Sequence, residues 1–274
     1  MHPSLTHKAV STWSLHRTLG NFSAPGSAVG GGKMAGPPEL KRGLTLLEII
    51  PELATRGYTM LQICHFHLSS IEEGYVAQVR AALAQSGIAL DMLLIDDGDL
   101  TSPNIHEQMA WYHHWLDVAE QLGANRARLC VGRSQPTSDL LIASGKHMAT
   151  LAAAHPNVRV VTENWMEMTP DAATLLTAMD AAGDDVGLLI DLGNWGAPQK
   201  YGELAKIADR AEACHAKCSF DASGPDEADY RQCLTILKDA GFTGPIALIY
   251  DGPDDDEWAG LETEWGIVND VFAG

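Results

Sequence analysis

Three short apolar runs between Val158 and Cys218 each carry a metal-ligating side chain near their C-terminal end. The first reads Val158-Arg159-Val160-Val161-Thr162-Glu163, the second Val186-Gly187-Leu188-Leu189-Ile190-Asp191, and the third Ala213-Cys214-His215-Ala216-Lys217-Cys218. Glu163, Asp191 and His215 stand 28 and then 24 residues apart, roughly one strand plus one returning helix per step. Short apolar runs of this kind read as buried parallel strands. Two carboxylates and an imidazole at the mouths of consecutive parallel strands converge on one point. That mixed oxygen and nitrogen set suits one divalent metal ion (Mn, Mg, Co or Zn) with open coordination positions.

The same alternation runs through the chain. Further strands are predicted over Ala9–Leu19, Tyr58–Leu68, Ile88–Ile95, Arg126–Gly132 and Ile246–Tyr250. Helices are predicted over Leu44–Arg56, Ile71–Gln85, Asn104–Leu122, Ser138–Ala154, Pro170–Ala182, Gln199–Arg210, Pro225–Ala240 and Glu257–Phe272, with Pro51 expected to start a helical turn. Eight strands alternating with helices point to an α/β fold, a (β/α)8 TIM barrel, formed by residues 1–274 as one domain. A Gly/Pro-rich insertion at about 20–38 interrupts it and reads as a long loop. Its Gly30-Gly31-Gly32-Lys33 cluster fails as a phosphate loop, because Ser27 and Met34 stand where Gly and Ser or Thr are needed.

In a (β/α)8 barrel the chemistry sits at the C-terminal strand ends. Period-two geometry turns His215 and Lys217 into the barrel and Cys214 and Cys218 toward the helices, as packed thiols. Burying Glu163, Asp191 and Lys217 is costly without a cation or partner. The alternative to a metal is an ion pair of Lys217 with Asp191 or Glu163. The predicted second strand runs to Leu68, which puts His65 and His67 on one face and suggests hydroxyl contacts or proton transfer. Asn164, Trp165, Asn194 and Trp195 follow the strand ends as candidate substrate contacts, and Arg133 is a candidate for an anionic group. His113 and His114 lie mid-helix and read as packing or surface residues.

The charge balance, 18 basic against 36 acidic residues for a net charge of −18, argues against nucleic acid and against an anionic membrane surface. No uninterrupted apolar run reaches membrane-spanning length, and the N-terminus lacks a secretory pattern. Five scattered cysteines without a CxxC pair fit a reducing, cytoplasmic setting. The sequence is compatible with a homo-oligomer.

The segments Ile63-Cys64-His65-Phe66-His67, Leu94-Ile95-Asp96-Asp97-Gly98, Thr162-Glu163-Asn164, Ile190-Asp191-Leu192-Gly193-Asn194, His215-Ala216-Lys217 and Leu237-Lys238-Asp239-Ala240-Gly241-Phe242-Thr243-Gly244-Pro245 occur in that order. In them the chain resembles the xylose isomerase-like TIM barrel family of sugar-phosphate isomerases, epimerases and the endonuclease IV branch. The resemblance implies metal ligands Glu, Asp, His and a last Glu from strands five to eight. The first three map onto Glu163, Asp191 and His215; the last falls on Ile249. Asp251, one step nearer the mouth with the same parity, is the remaining candidate ligand. The resemblance implies an isomerase or epimerase of a small sugar working through an enediolate, with Glu163 as base, Lys217 as electrostatic partner and His67 as a proton carrier. A dehydratase or lyase using the same site, or a sugar-binding barrel without catalysis, are the alternatives that Ile249 keeps open.

Overall fold

The barrel strands are β1 (Ala9–Ser11), β2 (Met60–Cys64), β3 (Ala89–Leu94), β4 (Arg126–Leu129), β5 (Arg159–Glu163), β6 (Gly187–Asp191), β7 (Ala211–Cys218) and β8 (Ile246–Tyr250). All pair in parallel with their sequence neighbours, and β8 closes on β1. The returning helices are α1 (Leu46–Thr55), α2 (Glu73–Ser86), α3 (Ile105–Leu122), α4 (Ser138–Ala154), α5 (Ala172–Ala182), α6 (Gln199–Ala205), α7 (Glu227–Asp239) and α8 (Glu257–Ala273). This is a closed (β/α)8 barrel. The computed structural model describes residues 2, 5–20, 43–253 and 255–273, so the Gly/Pro-rich insertion lies, beyond Gly20, outside the described residues.

Alternation along each strand divides its side chains between two cores. Leu188, Ile190, Cys214, Ala216 and Leu248 face outward into the large core shared with the helices. Met92, Leu94, Val161, Leu189 and Ala213 fill the barrel interior. Ala9, Met60 and Ala247 pack together as a separate small interior cluster. The thiols of Cys214 and Cys218 are buried on the helix side, as expected.

Two strands end earlier than their sequence pattern suggests, and hydroxyls are the reason. The Ala9–Leu19 segment is extended only to Ser11 and then coils through a 3-10 turn, Thr12–Leu15, and a helical turn, His16–Leu19. Ser11 caps that turn by accepting from the Trp13 amide at 3.2 Å. Ser14 bridges to β8, donating to Leu248 O and accepting from Tyr250 N. The Tyr58–Leu68 segment stops at Cys64 because the Thr12 hydroxyl takes the Cys64 amide at 2.9 Å. His65–His67 is then a 3-10 turn. Residues two apart in such a turn point in different directions, so His65 and His67 do not share a face.

Pro51 lies inside α1. The capping box of Thr45 and Glu48 fixes the helix start at Leu46, and the proline is carried in the helix that follows. The predicted Gln199–Arg210 helix is broken into α6 and a 3-10 turn, Ala208–Arg210.

Candidate active site

β5, β6 and β7 deliver Glu163, Asp191 and His215 to the same side of the barrel mouth. Register pairs Asp191 directly with His215. One ligand atom from each of the three lies within 4.8 Å of the others, and all three residues are buried. His215 Nδ1 stands 3.3 Å from Glu163 Oε1 and 3.6 Å from Asp191 Oδ2.

A polar chain from deeper in the barrel orients the imidazole. Gln62 Nε2 donates to Asp91 Oδ2 at 2.8 Å, which turns Gln62 Oε1 toward His215 Nε2 at 2.7 Å. His215 therefore donates through Nε2 and presents Nδ1 to the two carboxylates. Asp91 can serve here because the pairing of β3 with β2 steps from Leu90 to Met92 and leaves Asp91 as a bulged residue. Its other oxygen takes the guanidinium of Arg126.

Glu163 is held from three sides. Asn194 Nδ2 donates to its Oε1 at 3.0 Å, His215 faces the same oxygen, and Arg128 Nε lies 2.9 Å from Oε2. Arg128 also pairs with Asp96 at 2.5 Å, and its guanidinium lies 4.5 Å from the ring centre of Trp165. Asp191 accepts from the Gly193 amide at 2.6 Å. A side chain at Gly193 would meet Lys217 Cγ at 2.8 Å, so this glycine makes room for the lysine stem.

Charge follows from this packing. Burial alone would lower the His215 pKa, but Glu163 and Asp191 outweigh it and raise it to about 9. Burial would raise Asp191, yet the His215 hydrogen bond and the Lys217 charge hold its carboxyl below the usual range. Burial also disfavours the Lys217 ammonium, and Asp191 and Asp251 more than restore it. Asp96, against burial, is pulled down to about 2 by Arg128 and His65.

The cavity at this point holds about 400 Å³, including the part open to solvent. Besides the three converging residues it is lined by Trp13, Trp165, Arg128, Asn194, Lys217 and Ile249. Lys217 pairs with Asp251 at 2.9 Å, and not with Asp191 or Glu163. Asp251 thus sits on the lysine at a partly open rim, its side chain 41% exposed.

The other sequence candidates fall around this centre. Asn164 is fully buried, exchanging two hydrogen bonds with the Asp191 backbone. Trp195 is buried, and its indole donates to Thr169 O at 2.9 Å. His65 packs edge-on against Trp111 and Trp115, with Nε2 3.5 Å from Asp97. His67 Nδ1 contacts the Thr12 hydroxyl at 2.8 Å. Arg133 donates to Asp96 O and Gly98 O, so its guanidinium holds the loop after β3. None of these five lines the cavity among the described residues.

Sequence reasoning missed Arg128, Gln62, Asp96 and Trp13. A signal for two of them was present. Arg128 and Gln62 are polar residues with inward parity in short strands, where each requires a buried partner.

A model of the xylose isomerase-like TIM barrel matches residues 50–266. The chain belongs to that family. No curated protein matches it in sequence. Among solved structures, a xylose isomerase-like TIM barrel protein from Mycobacterium smegmatis in complex with magnesium is 17% identical. The match covers 100% of this chain and 99% of that one, with a TM-score of 0.71. D-psicose 3-epimerase from Clostridium cellulolyticum, solved with D-tagatose, is 13% identical over 84% of this chain and 94% of that one, TM-score 0.67. An E. coli 3-keto-D-glucoside 4-epimerase in its apo form is 14% identical over 82% and 94%, TM-score 0.64. At these identities the likeness is one of fold.

The donor set fits a divalent metal. Three buried ligands of the right type converge, and the Asp91–Gln62–His215 chain provides the outer hydrogen bond that metal-binding imidazoles ordinarily make.

Proposed function

We propose that this protein is a metal-dependent isomerase or epimerase of a small sugar or sugar derivative. The observation that carries the reading is the convergence of Glu163, Asp191 and His215 on a cavity that also presents Lys217 and two indoles. Glu163, Asp191 and His215 would hold the ion, which when bound supplies Lewis acidity toward the substrate carbonyl. The epimerases among the structural relatives support the substrate class.

The protein's own groups then divide the work. Glu163 takes the proton from the carbon beside the carbonyl, and the electron pair moves onto the carbonyl oxygen as an enediolate forms. Lys217, kept cationic by Asp191 and Asp251, stabilises that oxygen. It donates a proton there and recovers one from the neighbouring hydroxyl. Glu163 returns its proton to the adjacent carbon, which relocates the carbonyl. Asn194 and Arg128 hold the Glu163 carboxylate in place. Trp13 and Trp165 give the sugar an apolar wall.

Ile249 lines the cavity where the resemblance leads one to expect a second carboxylate. A single base favours isomerisation over a symmetric two-base epimerisation. It also favours a second reading, loss of a β-hydroxyl from the same enediolate, which needs no second base. Metal analysis of the purified protein beside Glu163→Gln tests the assignment. A content of Mn, Co, Mg or Zn that falls by about one equivalent per chain in the variant supports it. No metal in either, with no thermal shift on adding divalent ions, would overturn it.

A further inference from the structure

A second cluster of ligand-type side chains lies at the other end of the barrel. α3 runs toward the start of β4, and α4 toward the start of β5, so their C-terminal ends flank the N-terminal face of the strands. There Asp117 and Glu120 of α3 meet His155, the residue that caps α4. One ligand atom from each lies within 4.8 Å of the others. His113 stands one helical turn before Asp117, on the same face of α3.

The imidazole of His155 is buried, its side chain only 6% exposed. Its Nδ1 points between the carboxylates, 3.6 Å from Asp117 Oδ1 and 3.7 Å from Glu120 Oε1. Both separations are too long for a hydrogen bond, and Glu120 Oε1 is buried with no hydrogen-bond partner among the described residues. A buried acceptor left without a partner is costly. An ion between the three atoms removes that cost.

The outer contact is also in place. His155 Nε2 lies 2.9 Å from His113 Nδ1. A metal-binding imidazole ordinarily gives its second N–H to an acceptor, which fixes the tautomer that bares the other nitrogen, and His113 Nδ1 is an acceptor in reach of His155 Nε2. With Nε2–H donated to His113, Nδ1 of His155 carries the free lone pair.

We infer that Asp117, Glu120 and His155, oriented by His113, form a second metal site for a divalent ion of the zinc, cobalt or nickel type, clamping α3 to the end of α4. Two carboxylate oxygens and one imidazole nitrogen leave at least one position to water, and imidazole selects these ions over magnesium or calcium. The site is separate from the barrel mouth and does not depend on the reaction catalysed there.

Equilibrium dialysis of the full chain against Zn2+ tests this. The expected result is about two tightly held equivalents in the wild type and about one in Asp117→Asn/Glu120→Gln. Glu163→Gln/Asp191→Asn is expected to keep about one, which its combination with Asp117→Asn/Glu120→Gln removes. His113→Phe should weaken the same equivalent by 10- to 100-fold, on the order found for outer-shell partners. Circular dichroism confirms that Asp117→Asn/Glu120→Gln leaves the fold intact. If Asp117→Asn/Glu120→Gln holds as much Zn2+ as the wild type, the site is refuted, whether or not the barrel mouth binds. A loss confined to Asp117→Asn/Glu120→Gln, with none in Glu163→Gln/Asp191→Asn, supports the second site and counts against metal at the mouth.

Discussion

Arg128 Nε lies 2.9 Å from Glu163 Oε2, with each side chain only 4% exposed. The candidate base therefore shares its buried environment with a fixed cation. That cation is itself anchored by Asp96 and covered by Trp165. Removing one member of such a pair strands the other in a poorly solvated interior.

Arg128→Met is accordingly expected to cost about 3–5 kcal/mol of stability, measured by denaturant unfolding. A divalent ion takes over part of the compensation of Glu163, so Mn2+ should raise the melting temperature of Arg128→Met more than that of the wild type. Equal shifts would count against an ion next to Glu163.

Gln62 does not itself line the cavity, yet it sets the orientation of His215, which does. Gln62→Leu should weaken metal binding at the mouth by roughly 10- to 100-fold in calorimetry, with the fold retained. Unchanged affinity would show that the Asp91–Gln62–His215 chain serves packing alone.

Asp251 and Lys217 form one ion pair at the rim, and their variants should separate. Lys217→Met removes the cation expected to face the enediolate oxygen and should lower kcat by about 100- to 1000-fold, with a small change in KM. Asp251→Asn should cost less than about tenfold in both metal affinity and kcat, because Asp251 acts on Lys217. A loss of metal in Asp251→Asn would instead make Asp251 a direct ligand.

Glu264 of α8 is fully buried, accepting from the Cys218 amide with one oxygen while the other has no partner among the described residues. Burial pushes its carboxyl well above the usual range. Its folded form thus holds a proton that the unfolded chain releases near pH 4.3. The favourable contribution is complete below that pH and is lost as pH rises toward the folded value. Glu264→Gln should therefore raise stability at pH 7 by about 1–3 kcal/mol and flatten the decline between pH 5 and 8, followed by thermal unfolding across that range.

The convergence of Glu163, Asp191 and His215 was legible in the sequence because each is a polar residue closing an apolar run, and the spacing of the runs implies parallel neighbours. Arg128 and Gln62 left only the weaker signal of inward parity, since each sits within a strand whose apolar neighbours dominate the pattern. The pairing of His65 with His67 on one face failed for a long-range reason. Thr12, more than fifty residues earlier in the chain, takes the amide of Cys64 and ends the strand before either histidine. Trp195 shows the same limit. An indole after a strand end resembles a sugar platform until Thr169 O claims its N–H.

Proton abstraction by Glu163 is the central step of the proposed reaction. The decisive measurement is deuterium uptake from heavy water at the carbon beside the carbonyl, across a panel of ketoses and keto-polyols, with Mn2+ present. The wild type should exchange that position in at least one of them, and Glu163→Gln should be slower by about 100- to 10,000-fold, the usual worth of a positioned base. No exchange with any substrate, or exchange undiminished in Glu163→Gln, would contradict it.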